Sequence, residues 1–131
     1  MPGFQNENGC PFCGWKNPAL QNSLAYAIYD RYPVTEGHML VVSQRHYSDF
    51  FESREEEVDA IFDLVRKVKA FLDARYKPDG YNVGVNCGAV AGQTIMHLHV
   101  HVIPRYKGDM VDPTGGVRGV IPSKQKYPRG P

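Results

Sequence analysis

The chain of 131 residues has almost no charge of one sign to spare, with 15 Lys+Arg against 14 Asp+Glu and a formal charge of +1. Nucleic-acid binding over the whole molecular surface rests on neutralising phosphates, so this balance excludes a dedicated surface of that kind. A long apolar run is also missing. The longest stretch without charge, Gly80 to Pro104, contains three His, a Gln and two Asn, and no membrane span is expected from it. The first seven residues have no basic segment followed by an apolar run, so no secretory signal is expected and the cytoplasm is the expected location. Cysteine is scarce and odd in number, at three. A disulfide framework is therefore not expected, and the pair Cys10-Pro11-Phe12-Cys13 reads as metal or redox chemistry.

At 42% hydrophobic residues, the chain has enough apolar surface for one compact domain over 1–131. The first 20 residues are rich in Gly, Asn and Pro and read as a loop holding the Cys pair. Strand patterns follow at Ser23–Asp30 and Met39–Ser43. Ser53 and Glu56 have capping-box spacing, and Val58, Ile61, Phe62, Val65, Val68, Phe71 and Leu72 then recur every three or four residues. This spacing predicts one long helix to about Tyr76, ended by Lys77-Pro78-Asp79-Gly80. Two further strands are predicted over Tyr81–Asn86 and Ile95–Ile103. From Pro104 onward the chain holds five Gly, five Pro, six Lys/Arg and two Asp. Those last residues are expected to drape over the surface as a basic flap without regular core.

His97-Leu-His99-Val-His101 is the most informative stretch. Side chains alternate along a strand, so the three imidazoles share one face while Leu98, Val100 and Val102 share the other. Three such rings are a poor way to build a core, because each has two nitrogens to satisfy. Two chemistries fit. Alternate His residues can ligate one catalytic zinc. Alternatively, one His is a nucleophile and its neighbours manage charge and protons. The preceding Gly88, Gly92, Gln93 and Thr94 favour the second, because a Gly-rich turn offers backbone N–H groups to a phosphate.

The segment from Asn86 through Gln93-Thr94 and His97-x-His99-x-His101 to Pro104-Arg105 resembles the signature of the histidine-triad (HIT) nucleotide hydrolases and transferases. Asp30-Arg-Tyr-Pro-Val-Thr-Glu-Gly-His38 through Arg45-His46 resembles the family's earlier block, so the likeness covers residues 10–105. It implies an α+β fold, an antiparallel sheet of about five strands with one long helix, paired into a homodimer. It implies attack by His99 on the α-phosphate of a nucleotide, giving a nucleotidyl-histidine that water or another acceptor resolves. His101 would contact the phosphate and leaving oxygen, and His38 would support them. Gln93 and Thr94 would hold phosphoryl oxygens, Asp30 the ribose hydroxyls, and Asn86 the phosphate side.

The resemblance also implies a structural zinc held by Cys10, Cys13, His46 and His97, as in bacterial members with a Cys-x-x-Cys pair. A redox pair is the competing reading of the two cysteines. The phosphoramidase branch typically ends in a Trp-containing segment, whereas the only Trp here is Trp15. The Pro104-Arg105 ending and basic flap (106–131) look more like diadenosine polyphosphate hydrolases. Arg105, Lys107 and Arg118 would then meet the extra phosphates, and Mg²⁺ would arrive with the substrate. Phosphoramidase, nucleotidyltransferase and phosphorylase chemistry on the same His99 stay open, as does a zinc-stabilised nucleotide-binding module.

Overall fold

In the computed structural model, residues 9–128 are described; the expectation about a secretory signal falls on residues 1–7, outside them. Six elements organise the chain: β1 (Leu20–Gln21), β2 (Ala25–Tyr29), β3 (Met39–Ser43), α1 (Glu55–Tyr76), β4 (Gly80–Val85) and β5 (His99–Arg105). The five strands form one sheet in the order β1-β2-β3-β5-β4, with every pairing antiparallel. The expected α+β architecture of about five strands and one long helix is what the chain adopts.

β3 lies at the centre of the sheet, and all five of its residues are buried. Its two faces meet different partners, which is why it reads as a continuous apolar run without alternation. On one face Ala25, Ala27, Met39, Val41, Leu98, Val100 and Val102 pack against Ile61, Leu64, Val65, Val68 and Leu72 of α1. On the other, Tyr26, Ile28, Leu40 and Val42 pack against Cys10 and Phe12 of the N-terminal loop. Antiparallel register sets Leu40 opposite His101 and Val42 opposite His99. The helix therefore covers one side of the sheet, and the imidazoles occupy the other.

Several boundaries differ from the sequence reading. The first strand pattern begins two residues late because the Asn22 side chain accepts from the N–H groups of Leu24 and Ala25, closing a turn. Leu20, the last residue of the expected loop, pairs with β2 together with Gln21. The helix starts at Glu55, and its cap is not the Ser53/Glu56 pair. Glu57 accepts from the Arg54 N–H, while the Ser53 hydroxyl is bonded to Tyr47. A separate capping box, Asp49 with Glu52, closes a 3-10 turn at Phe50–Glu52. Strand β5 begins at His99 instead of Ile95, so His97 sits just before the strand, joined to β3 through Ser43 N–H donating to the Leu98 carbonyl.

The C-terminal segment forms two 3-10 turns, Gly116–Val120 and Pro122–Lys124. Several of its described basic side chains are engaged locally. Arg105 bonds Asp109 and Asn82, and Arg118 lies over the Tyr127 ring with its Nε donating to the Gln125 carbonyl. Among the described residues, no helix is long and apolar enough to cross a membrane.

Candidate active site and metal centre

Folding brings Cys10, Cys13, His46 and His97 together, with all four candidate donor atoms within 4.8 Å of one another. His97 Nε2 meets the Ser43 carbonyl at 2.7 Å. A carbonyl only accepts, so that nitrogen carries the ring's proton and Nδ1 is left bare. This bare nitrogen lies 3.4 Å from Cys10 Sγ, 3.5 Å from Cys13 Sγ and 3.1 Å from His46 Nδ1. Cys13 Sγ to His46 Nδ1 is 3.2 Å. In a tetrahedral zinc site, bond lengths near 2.3 Å for sulfur and 2.0–2.1 Å for nitrogen put donors about 3.3–3.8 Å apart. The set fits a metal ion in donor type, number and spacing. Ser43 supplies the outer contact that fixes a ligand imidazole's tautomer. Burial pushes the His97 imidazole below its ordinary pKa, which keeps it neutral and ready to ligate.

The segment carrying His46 is anchored by a pair that the sequence reading overlooked. Glu57, at 1% exposure, receives two bonds from Arg45, Nε to Oε2 at 2.9 Å and Nη2 to Oε1 at 2.8 Å. The Arg45 bonds hold the Glu57 carboxyl below the usual carboxylate range. A run of three glutamates at a helix start signals only the helix dipole, so nothing local revealed this role.

The second group comprises Asp30, His38 and His101, with His99 beside them. The Val34 backbone N–H donates to His38 Nδ1 at 3.0 Å. His38 Nε2 must then carry the proton of the neutral ring, and it donates to His101 Nδ1 at 2.9 Å. The proton of neutral His101 is thereby placed on Nε2. Asp30 Oδ2 lies 3.4 Å from His38 Nε2 and 3.9 Å from His101 Nδ1. These three donors also have metal-like spacing, yet a protonated His38 Nε2 has no lone pair to offer a cation. The group is built as a proton chain. Burial, reinforced by His99 and His38, pushes His101 down to about 4, against the opposing pull of Asp30.

His99 Nδ1 faces the His97 carbonyl at 2.8 Å and so carries the proton, leaving Nε2 with the lone pair. Its ring also meets the edge of Phe12 at 5.1 Å between centroids.

Gln93 is placed differently from its sequence reading. Its side chain, only 4% exposed, spends its polar atoms on backbone. Nε2 donates to the carbonyls of Ser48 and Ile95, at 2.6 and 3.1 Å, while Oε1 accepts from the Gly88 N–H at 2.8 Å. It ties the 88–94 loop together and to the segment after His46. Thr94 is exposed at the end of that loop. The Asn86 amide lies against Gly92, 3.7 Å from where a Cβ would stand.

A cavity of about 750 Å³ opens beside these residues. Asp30, His38, His101 and Thr94 line it together with Phe12, Trp15, Ile28 and Leu40. This is ample space for a nucleoside-sized ligand with one apolar wall and one polar wall. Phe12 and Trp15 fall in the N-terminal stretch that reads as a loop in sequence, since an aromatic near a Cys pair carries no signal of a cavity.

Residues 16–108 match the HIT domain family, which accounts for most of the chain. The chain belongs to the HIT family. An HIT-like protein of Mycoplasma pneumoniae is 35% identical over 106 residues, covering 76% of this chain and 74% of that one. The asymmetrical bis(5'-nucleosyl)-tetraphosphatase of Schizosaccharomyces pombe is 35% identical over 68% of this chain. The AP-4-A phosphorylase of Mycobacterium tuberculosis is 36% identical over 68%. The alignments span 49% and 46% of those two enzymes, about half their length. Among solved structures, SMU.412c of Streptococcus mutans superposes with a TM-score of 0.72 at 30% identity, covering 86% of this HIT chain and 74% of that one. A Zn-bound histidine triad protein of Mycobacterium smegmatis gives 0.65 at 30% identity, covering 70% and 67%.

Proposed function

We propose that this HIT protein is a nucleotide hydrolase that cleaves at the α-phosphate through a nucleotidyl-histidine on His99, with dinucleoside polyphosphates as substrates. The observation that carries the reading is the pair of opposite tautomers on neighbouring imidazoles. His99 offers a bare Nε2 and His101 offers an Nε2–H, each fixed by a hydrogen bond on its other nitrogen. A nucleophile and a hydrogen-bond donor to the leaving oxygen are what nucleotidyl transfer to histidine requires.

In the first step His99 Nε2 forms a bond to the α-phosphorus as the bond to the leaving oxygen breaks. His101 donates a hydrogen bond from Nε2–H to that oxygen, which departs as a polyphosphate anion while the proton stays on the ring. Water then attacks the same phosphorus, the bond to His99 Nε2 breaks with its electron pair returning to that nitrogen, and the water's proton passes to solvent. Thr94 and the backbone of the 88–94 loop hold the phosphoryl oxygens, with Asn86 on the same side, and Gln93 keeps that loop in place. Asp30 takes the ribose hydroxyls from the cavity wall. Zinc on Cys10, Cys13, His46 and His97 supplies structural cross-linking, and Mg²⁺ enters with the polyphosphate. The reading includes a cytoplasmic homodimer with 10–105 as catalytic core and 106–131 as the flap.

Incubation with diadenosine tetraphosphate and, separately, adenosine phosphoramidate tests this reading. Dinucleotide cleavage that vanishes in His99→Ala is the expected result. ADP formed only with added phosphate would point to a phosphorylase, a reading favoured by the Mycobacterium tuberculosis relative. Cleavage of the phosphoramidate alone would reject the dinucleotide substrate. Turnover of neither, with AMP still bound, would leave a binding module.

A further inference from the structure

The metal-ligand set and the nucleotide cavity are contiguous, and one residue belongs to both. Phe12 stands between two ligands in Cys10-Pro11-Phe12-Cys13. Its backbone N–H donates to Cys10 Sγ at 3.4 Å, and its carbonyl accepts from the buried Tyr26 hydroxyl. Its ring is perpendicular to His97, a ligand, at 6.0 Å, and edge-on to His99 at 5.1 Å. It also forms part of the cavity wall with Trp15, Ile28 and Leu40. His97 provides a second connection, because its ring faces the cysteines while its carbonyl holds His99 Nδ1.

We propose that Phe12 is a positioning residue that couples metal occupancy to nucleotide binding and to the pose of the His99 ring. The proposal rests on the nucleotide reading above. With metal bound, cross-links to Cys10 and Cys13 on either side leave the Phe12 ring one position, edge-on to His99. Without it, two sulfurs and two imidazoles converge with no cation to hold them. The loop then gains conformations in which the cavity wall and the His99 contact are lost. Any ligand that binds against Phe12 selects the ordered loop, and linkage requires that it tighten metal binding by the same factor. Cys13 is half-buried and His46 exposed, so metal can exchange from that side without crossing the cavity.

The test uses the zinc-loaded protein and follows zinc extraction by a chromophoric chelator, with and without saturating AMP. AMP is expected to raise the apparent zinc affinity by about 5-fold or more, within the usual range of coupling between sites. Phe12→Ala should keep one zinc per chain, bind AMP more weakly and abolish that shift. It should also lower kcat for the dinucleotide, while Phe12→Tyr restores the shift and kcat together. The alanine variant also controls for AMP chelating zinc by itself. AMP that binds the native protein without altering zinc affinity overturns the linkage alone. An unchanged shift in Phe12→Ala removes Phe12 from it. Absence of AMP binding to the loaded native protein overturns the nucleotide reading and the linkage with it.

Discussion

The Val34 backbone N–H donates to His38 Nδ1 over 3.0 Å, and that single bond determines where the protons sit on two imidazoles. His38 is left to donate from Nε2, and His101 must then hold its own proton on Nε2. Long-range ¹H–¹⁵N spectra at pH 8 are expected to show both rings neutral with the proton on Nε2. His101 should titrate near 4 and not near 6.5. Its depressed pKa means the unfolded chain binds more protons between those values. His101 therefore costs stability as pH falls from about 6.5 to 4 and nothing above. An Nδ1–H signal for His101, or a midpoint near 6.5, would contradict the proton chain.

Gln93→Ala should lower kcat on the order of 10²-fold, since it releases the loop that presents Thr94, and small misplacements are this costly. Adenosine, which lacks a phosphate, should bind as before, whereas AMP should bind more weakly. Equal loss for both ligands would show that the substitution damages the whole cavity.

Metal analysis of protein purified without chelators should give near one zinc per chain. Cys10→Ser plus Cys13→Ser should lose that metal and melt at lower temperature, because binding energy at a closed site is also folding energy. A fully folded double variant that still carries metal would reject the ligand set.

Glu57→Gln should lower stability at neutral pH by about 2 kcal/mol, the scale of hydrogen bonds to a buried charged group. The native carboxyl is held below its ordinary pKa, so its contribution is present above the unfolded value and lost as pH falls through the folded one. The gap between native protein and variant is thus expected to close below about pH 4, as denaturant melts over pH 3–7 would record. A constant gap would exclude the charge as its source.

Gly37→Ala should destabilise by about 1–3 kcal/mol, the cost of a left-handed conformation imposed on a residue with a side chain. Gly37 has φ +91°, and a Cβ there would stand 3.0 Å from the Tyr76 ring. His38 is the next residue, so kcat should fall along with the melting temperature. Unchanged values of both would show that the turn relaxes freely.

Local pattern in the sequence determined the long helix, the apolar strand Met39–Ser43 and the alternation that separates Leu98, Val100 and Val102 from the imidazoles. Those features depend on side-chain period, which is written residue by residue. The motif at His97–His101 and the Cys pair likewise marked the chemistry, and the HIT match agrees with them. Tertiary structure alone decided how those groups are used. Val34 fixes the His38 tautomer, Gln93 turns inward to three backbone partners, and Arg45 finds Glu57 across twelve positions. Phe12 becomes the wall between metal ligands and cavity only when the N-terminal loop folds onto the sheet. Hydrogen-bond direction and burial belong to the assembled sheet and its covering loop, and no local spacing in the chain encodes them.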